Sequence, residues 1–281
     1  MDYFLRDYDS ESEEKLQLQR ELKWLISEEL PDILNSIHLV AGGFLQSSFW
    51  GDHPVGNGGA HNKYGLYNDE NSNIKGSVLL QNGFVNLMEL IAQMHVFNHK
   101  HLFRLTLGER SYPLKQIIMG KSILLKIRQL TKNSNFISPD DTFQLLQKLV
   151  TLLSNCSSIL LNGSPQDLFP NKICDSKAFE PNLPEDLILQ LSLNNGLIAI
   201  DLINIAVASQ YSGVHRSFSS SLLKKAPNSS QPIYQYGYRD VQIVDHLTVS
   251  AQCQEVRDVI DSSLAALTRL NTFIQNLQVI S

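Results

Sequence analysis

Residues 256–277 read VRDVIDSSLAALTRLNTFIQNL, and the fold is decided there. Val256, Ile260, Ser263, Leu267, Leu270, Ile274 and Leu277 recur at alternating steps of four and three. Side chains spaced this way meet on one narrow stripe of an α-helix, the seam of a coiled coil or a helical bundle. Asp258, Asp261, Ser262, Thr268, Arg269, Asn271 and Gln275 fill the gaps and suit water. A helix so patterned needs partner helices to cover its stripe.

Three other stretches supply partners. Leu18, Leu22, Leu25, Ile26, Glu29, Ile33, Ile37 and Val40 keep helical spacing and predict a helix over 13–47, with 1–12 frayed. Pro31 lacks an N–H and crowds the turn before it, so a kink near Glu29 or Leu30 is expected. Gly42-Gly43 weakens its end. Ile117, Leu124, Ile127 and Leu130 predict a second helix over 114–131. Ser138-Pro139-Asp140-Asp141 is a helix start, with a capping hydroxyl, proline in the first turn and acids at the positive end. Leu145, Leu149, Leu152, Leu153, Cys156, Ile159 and Leu160 continue that helix to Gly163.

Between the helices the period falls toward two. Ser77–Gln81 reads as a strand ending in the turn signal Asn82-Gly83. Residues 84–94, FVNLMELIAQM, fit a strand (Val85, Leu87, Ile91) and a helix (Phe84, Leu87, Met88, Ile91, Met94) equally well. Phe103, Leu105 and Leu107 alternate. So do Leu187, Leu189, Leu191 and Leu193, followed by the turn Asn194-Asn195-Gly196 and a strand reading for 197–208. Strands are also expected at 214–218 and 233–238, around a polar loop at 224–231, and at 241–249. Residues 164–184 look irregular, and 51–73, GDHPVGNGGAHNKYGLYNDENSN, reads as a long flexible polar loop.

The order is helix, β, two helices, β, helix. The expected class is α+β: a discontinuous helical bundle of 13–47, 114–163 and 252–279, joined to one antiparallel β-domain of 74–113 and 185–249.

Composition limits function. A hydrophobic share of 43% and a charged share of 18% support a packed core. A net charge of −5 argues against a nucleic-acid surface. Three cysteines without paired spacing (Cys156, Cys174 and Cys253) read as reduced thiols. No signal peptide, membrane span or lipidation motif is found, so a cytoplasmic protein without membrane insertion is expected.

Motifs that carry chemistry are weak. Gly120-Lys121-Ser122 ends like a phosphate-binding loop, but Lys115 stands where the loop's first glycine is needed. His95, His99 and His101 have ligand-like spacing without a carboxylate, and Lys100 between them opposes a cation. Asp140-Asp141 and Glu28-Glu29 fit helix starts and solvated faces. Ser47, Ser48 and Ser219–Ser221 lack the glycines of a nucleophile elbow. Cys156 sits on an apolar stripe. No catalytic, cofactor-binding or metal-binding residue is assigned.

Several phrases carry a family resemblance. They are Glu21-Leu22-Lys23-Trp24-Leu25-Ile26-Ser27-Glu28-Glu29, Lys75-Gly76-Ser77-Val78-Leu79-Leu80-Gln81, Leu183-Pro184-Glu185-Asp186-Leu187 and Leu191-Ser192-Leu193-Asn194. In this order, over about residues 20–277, the chain resembles the rogdi leucine-zipper family, with 51–73 as an insertion. That family includes the small subunit of the RAVE complex, the regulator of vacuolar and endosomal proton-ATPase assembly. The resemblance implies a helical bundle with a β-domain and a non-catalytic adaptor without cofactors. It implies as partners a large propeller-bearing scaffold, a Skp-type adaptor through the complex, and cytosolic-sector subunits of the V-ATPase. It also implies peripheral recruitment to vacuolar or endosomal membranes. Two other classes stand beside it: a homodimeric coiled-coil tether, and a nucleotide-dependent enzyme built on Gly120-Lys121-Ser122.

Overall fold

A computed structural model of the chain describes residues 3–47, 49–50, 62–67, 73–96, 99–132, 139–208 and 232–280. Of 3–12, 62, 95–96, 99 and 139–140 the backbone alone is described. The fold is α+β, with helices and antiparallel sheets. The chain divides into a helical unit (1–47, 119–158 and 258–281) and a β unit (48–118 and 159–257).

The helices are α1 (Tyr3–Trp24), α2 (Leu30–Gln46), α3 (Lys115–Lys132), α4 (Pro139–Leu161) and α5 (Gln254–Ile280). The helix expected from residue 13 begins ten residues earlier, at Tyr3. Glu13–Lys23 is rich in Glu, Lys, Gln, Leu and Arg, all good helix formers, and a helix once nucleated propagates cheaply. Gln17 Nε2 reaches Glu21 Oε1 at 3.3 Å along its surface. Leu18, placed on the inward stripe by spacing, is exposed, as are Leu16 and Trp24.

The kink near Pro31 takes the form of a π-helical turn, Leu25–Glu29, between α1 and α2. Leu30 N–H donates to Leu25 C=O, five residues back. Pro31 follows at once in a backbone that stays right-handed helical through Glu29 and Leu30, so its missing N–H leaves an upstream carbonyl without that donor at the turn. Leu30, Ile33, Leu34, Ile37, Ala41 and Leu45 of α2 are buried.

On α5 the seam is broader than a strict four–three pattern. Val256, Ile260, Ser263, Leu270 and Leu277 are buried, and so are Val259 and Phe273. Leu267 and Ile274, expected on the seam, are half-buried. A bundle helix buries a stripe wider than 100°, so neighbours of the ideal positions share it.

The β unit holds two antiparallel sheets. The first runs β1 (Asn62–Leu66), β2 (Ile74–Gln81), β3 (Phe84–Val96), β4 (His99–Leu107) and β6 (Phe179–Glu180), with β5 (Tyr112–Pro113) on β3. The second runs β7 (Leu187–Asn194), β8 (Leu197–Val207), β10 (Arg239–Gln252) and β9 (Tyr234–Tyr236). Tyr67 and Ser250 bridge the two by paired backbone bonds of 3.0 and 3.3 Å.

Strand β1 corrects the reading of 51–73 as loop. Asn62 to Leu66 pair in register with Leu80 to Gly76. Leu66 is fully buried and Tyr64 half-buried on one face. Five residues with two inward side chains give too little alternation to stand out from a polar stretch. The rest of that expected loop, and the expected features at 214–218 and 224–231, lie outside the described residues.

The ambiguous segment 84–94 is strand. Leu79 pairs with Leu87 and Leu80 with Val85, leaving Asn86 as the extra residue of a β-bulge. The bulge shifts the alternation: Val85 points in, and so do Met88, Leu90, Ala92 and Met94. Leu87 and Ile91 fall on the open face. Both Asn-Gly turns form as expected. Asn82 and Gly83 (φ 53° and 82°) and Asn195 and Gly196 (φ 52° and 74°) all take the left-handed conformation of a two-residue hairpin.

Candidate functional site

Gly120, Lys121 and Ser122 lie inside α3, with Gly120 buried. Their amides serve the helix, and no glycine loop surrounds them, so a phosphate cradle is not formed there. His95 and His101 lie on the paired strands β3 and β4, His95 opposite Lys100 and His101 opposite Met94. Among the described residues no three His, Cys, Asp or Glu lie close enough to hold a metal ion.

Glu28 is exposed and Glu29 half-exposed on the π-turn, and Asp141 is exposed at the start of α4. Ser47 Oγ donates to Phe44 C=O at 2.8 Å, closing α2. Ser48 and Ser219–Ser221 lie outside the described residues. Cys156 is buried in the helical unit beside Ser263, and burial pushes its thiol up to about 11. A thiol so protonated at neutral pH is a packing group rather than a nucleophile.

Two polar constellations arise from strand register, beyond the reach of sequence spacing. On β8 and β10, Asp201 Oδ1 lies 2.9 Å from His246 Nε2 and accepts from Thr248 Oγ1 at 2.7 Å. Thr248 is directly opposite Asp201, and His246 opposite Ile203. The trio looks like a hydroxyl–imidazole–carboxylate relay, but its connectivity differs. A relay uses one ring nitrogen for the carboxylate and the other for the hydroxyl. Here both partners meet Nε2, with Thr248 Oγ1 3.2 Å from it, and the hydroxyl gives its proton to Asp201. The imidazole therefore has no line along which to activate Thr248. The Asp201 hydrogen bond raises the His246 pKa above its ordinary value against the opposing effect of burial.

The second constellation surrounds the start of α5. Tyr64 O–H donates to Glu255 Oε2 at 2.8 Å, and Trp50 Nε1–H donates to Glu255 C=O at 3.4 Å. Cys253 Sγ lies 3.6 Å from Glu255 Oε2 and 3.7 Å from Tyr64 Oη. Burial pushes the Cys253 thiol up to about 12 and raises the Tyr64 phenol as well. Both stay protonated, so the cluster anchors β1 to α5 and holds a carboxylate at a helix N-terminus. Tyr64 lies in the stretch read as loop, which hid this contact.

The helical unit contains a cavity of about 200 Å³ between α2, α3, α4 and α5. Ile33, Ile37, Leu124, Ile127 and Leu153 give it apolar walls, with Ser262 and Arg269 on the α5 side. Small residues make the room: Ala41 on α2, and Ser263, Ala265 and Ala266 on α5. A space of this size and lining accepts an apolar side chain and offers no proton-transfer group.

The geometry thus defines an α+β protein whose described polar clusters serve structure and whose exposed helices offer surfaces. The sequence model of the Rogdi leucine zipper containing protein family matches residues 21–228. That is well over half of the chain, and the chain belongs to the Rogdi leucine zipper family. No curated protein matches it significantly. Among the described residues no helix is long and apolar enough to cross a membrane.

Proposed function

We propose that the protein is a non-catalytic adaptor, the small subunit of a RAVE-type complex that promotes assembly of the V-ATPase from its cytosolic and membrane sectors. The observation that carries this reading is family membership over residues 21–228. Two structural features support it. The apolar residues Leu16, Trp24 and Leu39 are exposed on α1 and α2, as suits a surface that meets other proteins. The polar trio at Asp201 has the wrong connectivity for catalysis.

In this role the protein binds the propeller-bearing scaffold, joins a Skp-type adaptor through the complex, and contacts cytosolic-sector subunits. It works in the cytoplasm and is recruited to vacuolar or endosomal membranes without inserting. An adaptor raises the effective concentration of two surfaces that must meet, so it changes how fast the sectors join.

The test is sector co-sedimentation with membranes in cells lacking the protein, before and after a cycle of disassembly and reassembly. Both sectors should be present at normal levels, with less of the cytosolic sector on membranes and a less acidic lumen. Normal attachment throughout overturns the adaptor reading.

A further inference from the structure

We propose that the solvent face of α3 within the helical unit docks an acidic amphipathic helix of a partner protein. The inference deepens the adaptor reading and rests on it for the partner being a protein.

The sequence of α3, KQIIMGKSILLKIRQLTK, carries four lysines and one arginine and no acid, in a chain of net charge −5. Its inward face is apolar: Leu124 and Ile127 are 3% and 0% exposed. Its outward face is Met119, Ser122, Leu125, Lys126, Gln129 and Lys132, all exposed. At 100° per residue these six fall within an arc of roughly 140°. Ser122, Leu125, Gln129 and Lys132 step by three, four and three, the spacing at which one helix lies along another. Leu125 and Met119, 49% and 48% exposed, are the apolar contacts, and Lys126 and Lys132 stand beside them.

Charge selects the occupant. A face with lysines beside an apolar contact and no acid on its own helix is complementary to a helix whose leucines are flanked by glutamates. An anionic membrane fits less well. Insertion at an interface needs a broad apolar face, and the broad apolar face of α3 is already buried in the bundle. Two exposed lysines give only a weak attraction to an anionic lipid surface.

The experiment uses the full chain and a labelled synthetic peptide of about three heptads, with leucine at the seam and glutamate beside it. The same peptide with lysine for glutamate is the control. Fluorescence anisotropy should show the acidic peptide bound and the basic one not, with affinity falling as salt rises. Lys126→Glu combined with Lys132→Glu should weaken binding at least tenfold and favour the basic peptide, at unchanged helical content and melting temperature. Leu125→Ser is the second variant and should weaken binding without changing the salt dependence. Equal binding of the two peptides overturns the proposal, as does indifference to both variants. Lysine-dependent uptake on phosphatidylserine vesicles, with no peptide binding, replaces the partner helix by a membrane and also overturns it. If peptide binding fails while loss of the protein still uncouples the ATPase sectors, the α3 surface falls and the adaptor reading stands.

Discussion

The Gln116 side-chain amide pairs with both backbone groups of Leu193. Leu193 N–H donates to Gln116 Oε1 at 2.7 Å, and Gln116 Nε2 donates back to Leu193 C=O at 3.0 Å. The same Nε2 also reaches Ile159 C=O at 3.0 Å. The amide thus does for the outer edge of β7 what a neighbouring strand would do. It lets the strand end buried without orphaned polar groups.

Gln116→Ala should therefore destabilise the protein more than loss of a surface amide. Leu193 N–H and C=O would remain buried and unpaired, at about 1–3 kcal/mol for each such group. Chemical denaturation measures it. A loss under about 0.5 kcal/mol, the size of a surface substitution, would show that water replaces the amide.

Leu270→Asp should unfold the helical unit, and Leu264→Asp should not. Leu270 is 0% exposed and Leu264 is 45% exposed, six residues apart on one helix. A buried carboxylate without a partner costs several kcal/mol, a large share of a typical total stability of ~5–15 kcal/mol. Melting temperatures of the two variants decide it, and equal values would contradict the burial of this seam.

Gly76→Ala should be among the costliest single-methyl changes in the β unit. A Cβ at Gly76 would sit 2.3 Å from the backbone oxygen of Glu89 on the paired strand. Backbone in a ladder cannot step aside as a long side chain can, so β2 and β3 must separate locally. Poor soluble expression or a sharply lowered melting temperature is expected, and wild-type stability would mean that the ladder shifts freely.

The Asp201–His246 contact should make stability depend on pH in a defined sense. Its hydrogen bond raises the folded pKa of His246 above the unfolded value of about 6.5. The folded state then holds the proton more tightly, so the contribution is fully present below about pH 6.5 and disappears as pH rises through the folded value. Asp201→Asn should lose more stability against wild type near pH 5.5 than near pH 8.5. An equal loss at both values would show that the imidazolium is not involved.

Deleting 54–72 should lower stability, because it removes β1 together with Tyr64 and Leu66. The Tyr64 bond to Glu255 and the buried Leu66 go with it. Tyr64→Phe gives the smaller, separable effect of one hydrogen bond, about 1 kcal/mol. A deletion variant as stable as wild type would show that β1 contributes nothing to the β unit.

What the sequence discloses here is what local physics enforces. Asn82-Gly83 and Asn195-Gly196 were legible because few other residues accept a positive φ. The α2 and α5 seams were legible because burial repeats at the helical period. The face of β3 was not, because one unpaired residue, Asn86, inverts the alternation on one side of it. Asp201 and His246 are 45 residues apart, and only the register of β8 against β10 brings them together. On α3 the lysines are visible in the sequence. Which of them remain outside the bundle is decided by the packing of Leu124 and Ile127.

The π-turn at Leu25–Glu29 bears on the zipper in the family's name. A turn closed by a five-residue bond holds one residue more than an α-turn, which sets every later side chain back by about 100° relative to a straight α-helix. With that residue absorbed, Leu22, Leu25 and Ile26 share a side with Leu30, Leu34 and Ile37, which a straight α-helix would carry about 100° away. Leu16 and Leu18 are exposed because residues 13–21 are exposed on every side, whereas Leu25, Leu30, Ile33 and Ile37 are buried. A partner lying along Leu22 and Leu25 would find the same stripe continuing into Leu30 and Leu34. The turn works as a phase corrector, taking up one residue so that a single seam can run from the end of α1 into α2.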